Sequence, residues 1–160
     1  ETMEPDNRGR AQRQTRTYKV RIPPGTQPGA RIRLSGQGGA SMMEGQAGDL
    51  YLRVNIRPHP RFRLNGRDLE VTVPITPWEA VLGARVPVRT LHGEAHLPIP
   101  AGTHSGQRFR LKNQGFPATG RDAAGHLYAV IEIAVPEHPS DREKALFQEL
   151  AKSSMFNPRQ

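Results

Sequence analysis

At 160 residues the chain suffices for one domain or two small ones, and no apolar run approaches the ~18 residues that span a bilayer. It has no cysteine, which excludes disulfides, thiol catalysis and cysteine-ligated zinc. The formal net charge is +8, of which residues 18–66 contribute +6 and each flank +1, so the excess forms one basic segment that suits an anionic partner or a solvated strand face.

Residues 1–17 are polar and read as a tail or linker. From Tyr18 the pattern turns to period two: Tyr18, Val20 and Ile22, then Ile32 and Leu34, then Leu50 to Ile56, alternate with polar side chains, Arg prominent among them. These runs predict strands with one apolar and one basic face, as in an antiparallel sheet wet on one side. Pro23-Pro24-Gly25 and Pro28-Gly29 interrupt the ladder, and 35–48 reads as a flexible glycine-rich loop. A second strand group is expected over Leu69–Ile75, Ala84–Leu91, Glu94–Ile99, Arg108–Leu111 and Leu127–Val135. Pro77–Leu82 predicts a single turn capping the sheet, His92-Gly93 a tight hairpin, and Pro87 an edge strand. Ser140 with Glu143 three residues on has capping-box spacing, and Leu146, Phe147 and Leu150 share one face of the amphipathic helix that follows.

The phrase IPPGTQPGARIRLSGQG at 22–38 returns as IPAGTHSGQRFRLKNQG at 99–115, with ten of seventeen positions identical. The same offset of 77 carries Gly48-Asp49-Leu50-Tyr51 onto Gly125-His126-Leu127-Tyr128. One register held over such a length means two tandem copies of a β unit, too few for a solenoid. The expected fold is therefore mainly β: two small β-sandwich domains in series, then the C-terminal helix. The expected boundaries are 18–66 for a first, partial domain, 67–138 for the second, and 139–160 for the helix and its tail.

Catalytic machinery is not legible. The six histidines are scattered, and His92 and His96 flank a turn rather than sharing a helix face, so no metal site is expected. The glycine-rich loop lacks the Lys-Ser/Thr ending of a phosphate loop, and no serine lies in a nucleophile elbow. These observations argue against an enzyme and for binding, with no catalytic residues and no cofactor. Val71, Val73, Val86 and Val88 lie at period two on neighbouring strands and could floor a groove for a peptide added as a strand; alternation alone leaves core packing equally open.

Taken with GDLYLRVNIRPHPRFRLNGRDLEVTVPITPWEAVLGARVPVRTLHG and GHLYAVIEI, the two phrases resemble the C-terminal region of the DnaJ (J-domain, heat-shock-forty) co-chaperones, over close to nine-tenths of the chain from Tyr18. The lack of cysteine matches the class without a zinc finger, which includes curved-DNA-binding homologues. The resemblance implies a cytoplasmic, stress-response protein that captures unfolded client polypeptides for a DnaK-type ATP-driven chaperone. It also implies a homodimer joined by the C-terminal helix, with Leu146, Phe147, Leu150, Met155 and Phe156 at the contact. No J domain or His-Pro-Asp is present, so this chain should not stimulate an ATPase. The family's strand–short-helix–strand stretch has a counterpart in the second copy, Leu69–Leu91, whereas the first copy looks truncated. The four valines match groove positions through this equivalence, and Ile32 and Leu34 match a neighbouring strand of the first domain. Arg21, Arg31 and Arg33 become candidates for receiving the acidic tail of the partner chaperone. Two other readings compete: a basic nucleic-acid-binding module, and a structural dimerisation spacer without membrane contact.

Overall fold

The computed structural model describes residues 2–5, 11–15, 17–39, 48–120 and 122–159. Two short strands, β1 (Thr2–Pro5) and β2 (Ala11–Gln14), form an isolated antiparallel pair within the stretch read as a polar tail. Strands β3 (Arg31–Leu34) and β4 (Leu50–Arg53) make a second antiparallel pair. The expected loop between them lies outside the described residues from 40 to 47.

Tyr18–Ile22, expected as a strand, forms no ladder, although Tyr18 and Val20 are half-buried and Lys19 and Arg21 exposed. The side-chain alternation is there; the partner strand that would turn it into sheet is not, among the described residues.

The second copy is complete by comparison. Strands β5 (Phe62–Asn65), β6 (Asp68–Ile75), β9 (Arg108–Leu111) and β10 (Leu127–Ile133) form one sheet in the order β5-β6-β10-β9. It is not purely antiparallel: β6 and β10 run parallel from Leu69↔Leu127 to Ile75↔Ile133. Facing it is the hairpin of β7 (Ala84–Thr90) and β8 (Gly93–Ile99), joined through Leu91-His92. Helix α1 (Pro77–Leu82) closes one end, with Thr76 as N-cap in a capping box with Glu79 and Pro77 at its first turn, where a missing N–H costs nothing. Inward residues of both sheets meet in one core of Leu69, Ile75, Leu97, Ile99, Leu127 and Ile131, together with the four valines and Ala80. This is the expected β-rich architecture, although β5 carries the sheet back to Phe62, ahead of the boundary expected at 67.

The repeat in sequence is a repeat in hydrogen bonds. The Gly29 N–H donates to the Val54 carbonyl at 2.8 Å, and Gly106 to Ile131 at 2.7 Å. Gly38 donates to Gly48 at 2.7 Å, and Gly115 to Gly125 at 2.9 Å. In the turns, Gly25 and Gly102 hold φ of 76° and 78°, a region open to glycine at no steric cost.

The copies touch through one of these turns. Gly25 is buried, and a Cβ placed on it would lie 2.5 Å from the Pro117 carbonyl oxygen. The loop it meets is tied down by Arg67, whose guanidinium donates to the Pro117 carbonyl at 2.7 Å, the Ala123 carbonyl at 3.0 Å and the Asp122 carboxylate at 3.2 Å.

Helix α2 (Asp141–Ser153) begins as the sequence predicts, with Ser140 accepting from the Glu143 N–H and the Glu143 carboxylate accepting from the Ser140 N–H. None of its residues is buried against the described chain.

Candidate functional site

The second copy leaves strand edges open where β6 and β7 approach each other. On one side β6 is paired with β10 along its length; on the other β5 covers only Asp68–Val71. Leu69 donates to His126 and Ile75 accepts from Ala134, both toward β10, so the alternate residues Thr72 and Pro74 turn their backbone groups to the uncovered side. Pro74 offers a carbonyl there but no donor. Strand β7 pairs only with β8 among the described residues, so its far edge is open too, and Pro87 removes one donor from it. A cleft of about 650 Å³ separates these edges, rimmed by Thr72, Pro74, Pro87 and Arg89.

Val71, Val73, Val86 and Val88 reach the floor of this cleft but belong to the core, with exposures of 8%, 6%, 6% and 2%. The expectation of an open valine groove is corrected here: the valines point between the sheets, and what the cleft exposes is backbone edge and rim. Alternation had left the choice of face undecided, and burial against Leu97, Ile99 and Ile131 decides it.

A larger cleft of about 820 Å³ lies between residues 56–61 and the β5–β6 edge. His59 shapes its wall. Its Nδ1 accepts from the Arg61 N–H at 3.1 Å and the Phe62 N–H at 3.3 Å, and its ring lies tilted against Phe62 with centroids 5.0 Å apart. Ile56 and Leu91 line the cleft yet remain exposed, and Arg57, Arg61 and Arg63 stand at its margin. Glu70, the acidic residue of the lining, is ion-paired with Arg108, whose guanidinium sits 4.8 Å over the Tyr128 ring. Sequence reasoning missed both this cleft and β5. The Asn65-Gly66 turn signal before Asp68-Leu69 would have located the strand; nothing local marks the cleft.

In the first copy Ile32 and Leu34 are half-buried on one face of β3, opposite Leu52 and Leu50. Arg31 and Arg33 are on the exposed face, where Arg31 stands directly across from Arg53. Arg33 is engaged: its Nε lies 2.6 Å from the Asp49 carboxylate. The Gly36 N–H also donates to Asp49, and this bond first, then Arg33, holds the Asp49 carboxyl below its ordinary value. Arg21 is exposed on the unladdered stretch before β3. Arg31 and Arg33 therefore share a strand face but not one state.

The helix stripe is open to solvent. Leu146, Phe147 and Leu150 are exposed, and Met155 and Phe156 beyond the helix end are more so, Met155 almost completely. Among the described residues no group of three His, Cys, Asp or Glu side chains could hold a metal ion, and no helix is long and apolar enough to cross a membrane.

The sequence model for the DnaJ C-terminal domain matches residues 2–136. A curved DNA-binding protein of Serratia proteamaculans (strain 568) is 48% identical over 145 residues, covering 90% of this chain and 46% of that protein. Proteins of the same name from Escherichia coli (strain SMS-3-5 / SECEC) and Coxiella burnetii (strain Dugway 5J108-111) are 47% identical over 145 residues and 40% over 151. These cover 90% and 94% of this chain and 47% of each relative. The chain thus spans about half the length of the curated relatives it matches.

Proposed function

The chain belongs to the DnaJ C-terminal domain family, and from that premise we propose that it binds unfolded client polypeptide, without catalysis, for a DnaK-type chaperone. The observation that carries this reading is the cleft between two open strand edges, Thr72–Ile75 and Ala84–Thr90. An extended client laid between them would take main-chain hydrogen bonds from both sides, a sequence-tolerant mode that suits diverse clients. Pro74 and Pro87 thin out the donors, which restrains permanent edge-to-edge association while leaving carbonyls to receive a visiting chain. Suppression of aggregation of a chemically denatured model protein tests it. The wild-type chain should suppress aggregation, and Thr72→Trp with Arg89→Trp, which fill the cleft from exposed rim positions, should lose that effect while staying folded. Absence of suppression by the wild-type chain rejects the reading.

The α2 stripe is the proposed dimer contact, completed by Met155 and Phe156; its support is that Leu146, Phe147 and Leu150 lie exposed on the described chain. Sedimentation should show a dimer that becomes a monomer when residues 140–160 are deleted. Arg21, Arg31 and Arg33 are proposed to receive an acidic tail of the partner chaperone, with affinity that falls as salt is added.

One observation favours a second reading, nucleic-acid binding. Arg31 and Arg53 are like charges directly across a strand pair, an arrangement that costs stability unless an anion intervenes, and the relatives carry the name curved DNA-binding protein. Duplex binding that weakens steeply with salt and is lost in Arg31→Glu/Arg53→Glu would establish it.

A further inference from the structure

We propose that the cleft between residues 56–61 and the β5–β6 edge is a docking site for an acidic peptide segment bearing large apolar side chains. This cleft adjoins the one in the client reading and shares Pro60, Arg61, Val71 and Thr72 with it, but Arg57, Arg63, Ile56 and Leu91 line this cleft alone.

Its floor and walls are apolar. Phe62 and Phe116 are half-buried beneath it, while Ile56 and Leu91, from the segment before β5 and from the β7–β8 turn, flank it with much of their surface in water. An apolar side chain lodged there would cover groups that the fold leaves uncovered, contributing roughly 25 cal/mol per Å² of surface removed from water.

Its margin has one sign of charge. Arg57, Arg61 and Arg63 are exposed, and no carboxylate among the described residues pairs with any of them. The carboxylate in the lining, Glu70, is already held by Arg108. Among the described residues, a visiting carboxylate would meet three guanidinium groups and no competing acid, whereas a basic segment would be repelled.

The wall is also built in advance. His59 satisfies the Arg61 and Phe62 N–H groups from within the chain, and Pro58 and Pro60 fix backbone angles on either side of it. Little ordering would remain to be done on binding. A nucleic acid would satisfy the arginines but leave Ile56, Phe62 and Leu91 without an apolar partner, so the cleft fits peptide better.

The experiment is fluorescence anisotropy of the intact 160-residue chain with four labelled probes. These are a short peptide alternating Glu with Leu and Phe, the same peptide with Ser for every Leu and Phe, the same peptide with Lys for every Glu, and a DNA duplex. The acidic–apolar peptide should bind best. Arg57→Glu with Arg61→Glu should weaken it about tenfold or more, and Leu91→Ser several-fold, each with unchanged circular dichroism. Arg142→Glu, an exposed position on α2, should leave it unaffected. Should the double charge reversal not fold, Arg63→Gln and Leu91→Ser are read in its place. Equal binding of the Ser peptide or the Lys peptide overturns the proposal, as does binding indifferent to the cleft variants. A parallel loss of duplex binding in the same variants overturns it in favour of a phosphate surface.

Discussion

The two copies of the repeat share their turns and hydrogen bonds but not their interior. Ile99 opens the phrase in the second copy and is 3% exposed; its counterpart Ile22 is 58% exposed. Leu127, Ala129 and Ile131 are fully buried, whereas Leu50, Leu52 and Val54 at the matching positions are only half-buried. The difference lies in what packs against the phrase. In the second copy β6, α1 and the β7–β8 hairpin complete a sandwich; in the first, among the described residues, only the β1–β2 pair precedes it. The repeated phrase is thus a self-sufficient local structure, held by its own turns, while burial is supplied by elements outside it.

The largest effect separating the copies should come from a paired glycine. A Cβ at Gly125 would lie 1.7 Å from the Arg67 carbonyl oxygen, so Gly125→Ala must displace backbone, and we expect a loss of at least about 4 kcal/mol. At the equivalent Gly48 the nearest described atom is 3.9 Å away, and Gly48→Ala should stay within about 1 kcal/mol. Urea denaturation of both variants measures the contrast; equal losses would mean that the two sites are packed alike.

Next in size, Ile99→Ala should cost about 3 kcal/mol, as core truncations do, and Ile22→Ala no more than about 0.5 kcal/mol. Should Ile22→Ala approach the cost of Ile99→Ala, the first copy has a covered interior after all.

A smaller difference is expected at a shared hydroxyl. Thr26 and Thr103 each donate to the carbonyl three residues back, at 2.6 and 2.7 Å, but Thr103 is buried and Thr26 half-exposed. Thr103→Val should cost about 1 kcal/mol, because a hydrogen bond made by a buried hydroxyl is lost. In Thr26→Val water can replace the hydroxyl, and thermal unfolding should barely move.

The subtlest contrast is in acid. The Gly36 N–H donates to the Asp49 carboxylate at 3.0 Å; 77 residues on, the Asn113 N–H donates to His126 Nδ1 at 3.2 Å. Because the Asp49 pKa is lowered on folding, its contribution is present above the ordinary value of 3.8 and is lost as pH falls through the lower folded value. The Gly36 amide resonance should therefore hold steady down to about that ordinary carboxylate value and shift only below it, and Asp49→Asn should abolish the shift.

Much of this was legible in the sequence, and the failures have physical causes. The offset of 77 is visible because turns need particular residues at fixed places, and the capping box at Ser140 is visible for the same reason. Tyr18–Ile22 read as a strand because alternation records which face is apolar, but a ladder also needs a neighbour. The parallel pairing of β6 with β10 joins segments far apart in sequence, which no local window reports. The β1–β2 pair was missed because pairing there has no apolar alternation to announce it. The valines were undecidable for a related reason: a strand between two layers offers apolar side chains to whichever layer exists. The larger cleft depends on where residues 56–61 lie against β5, a matter of chain path rather than residue type.

Gly25 has a mechanical consequence. It is a pivot without slack, since its backbone rests on the Pro117–Thr119 loop with no side chain between to act as a cushion. Arg67 clamps that loop to the second copy through its two carbonyl contacts and Asp122. Torque applied to the first copy would reach the second copy through this bearing, so the pair would swing as a bracket rather than hang as beads on a string. The spacing between whatever the two copies hold would then be set by a single hydrogen atom on Cα.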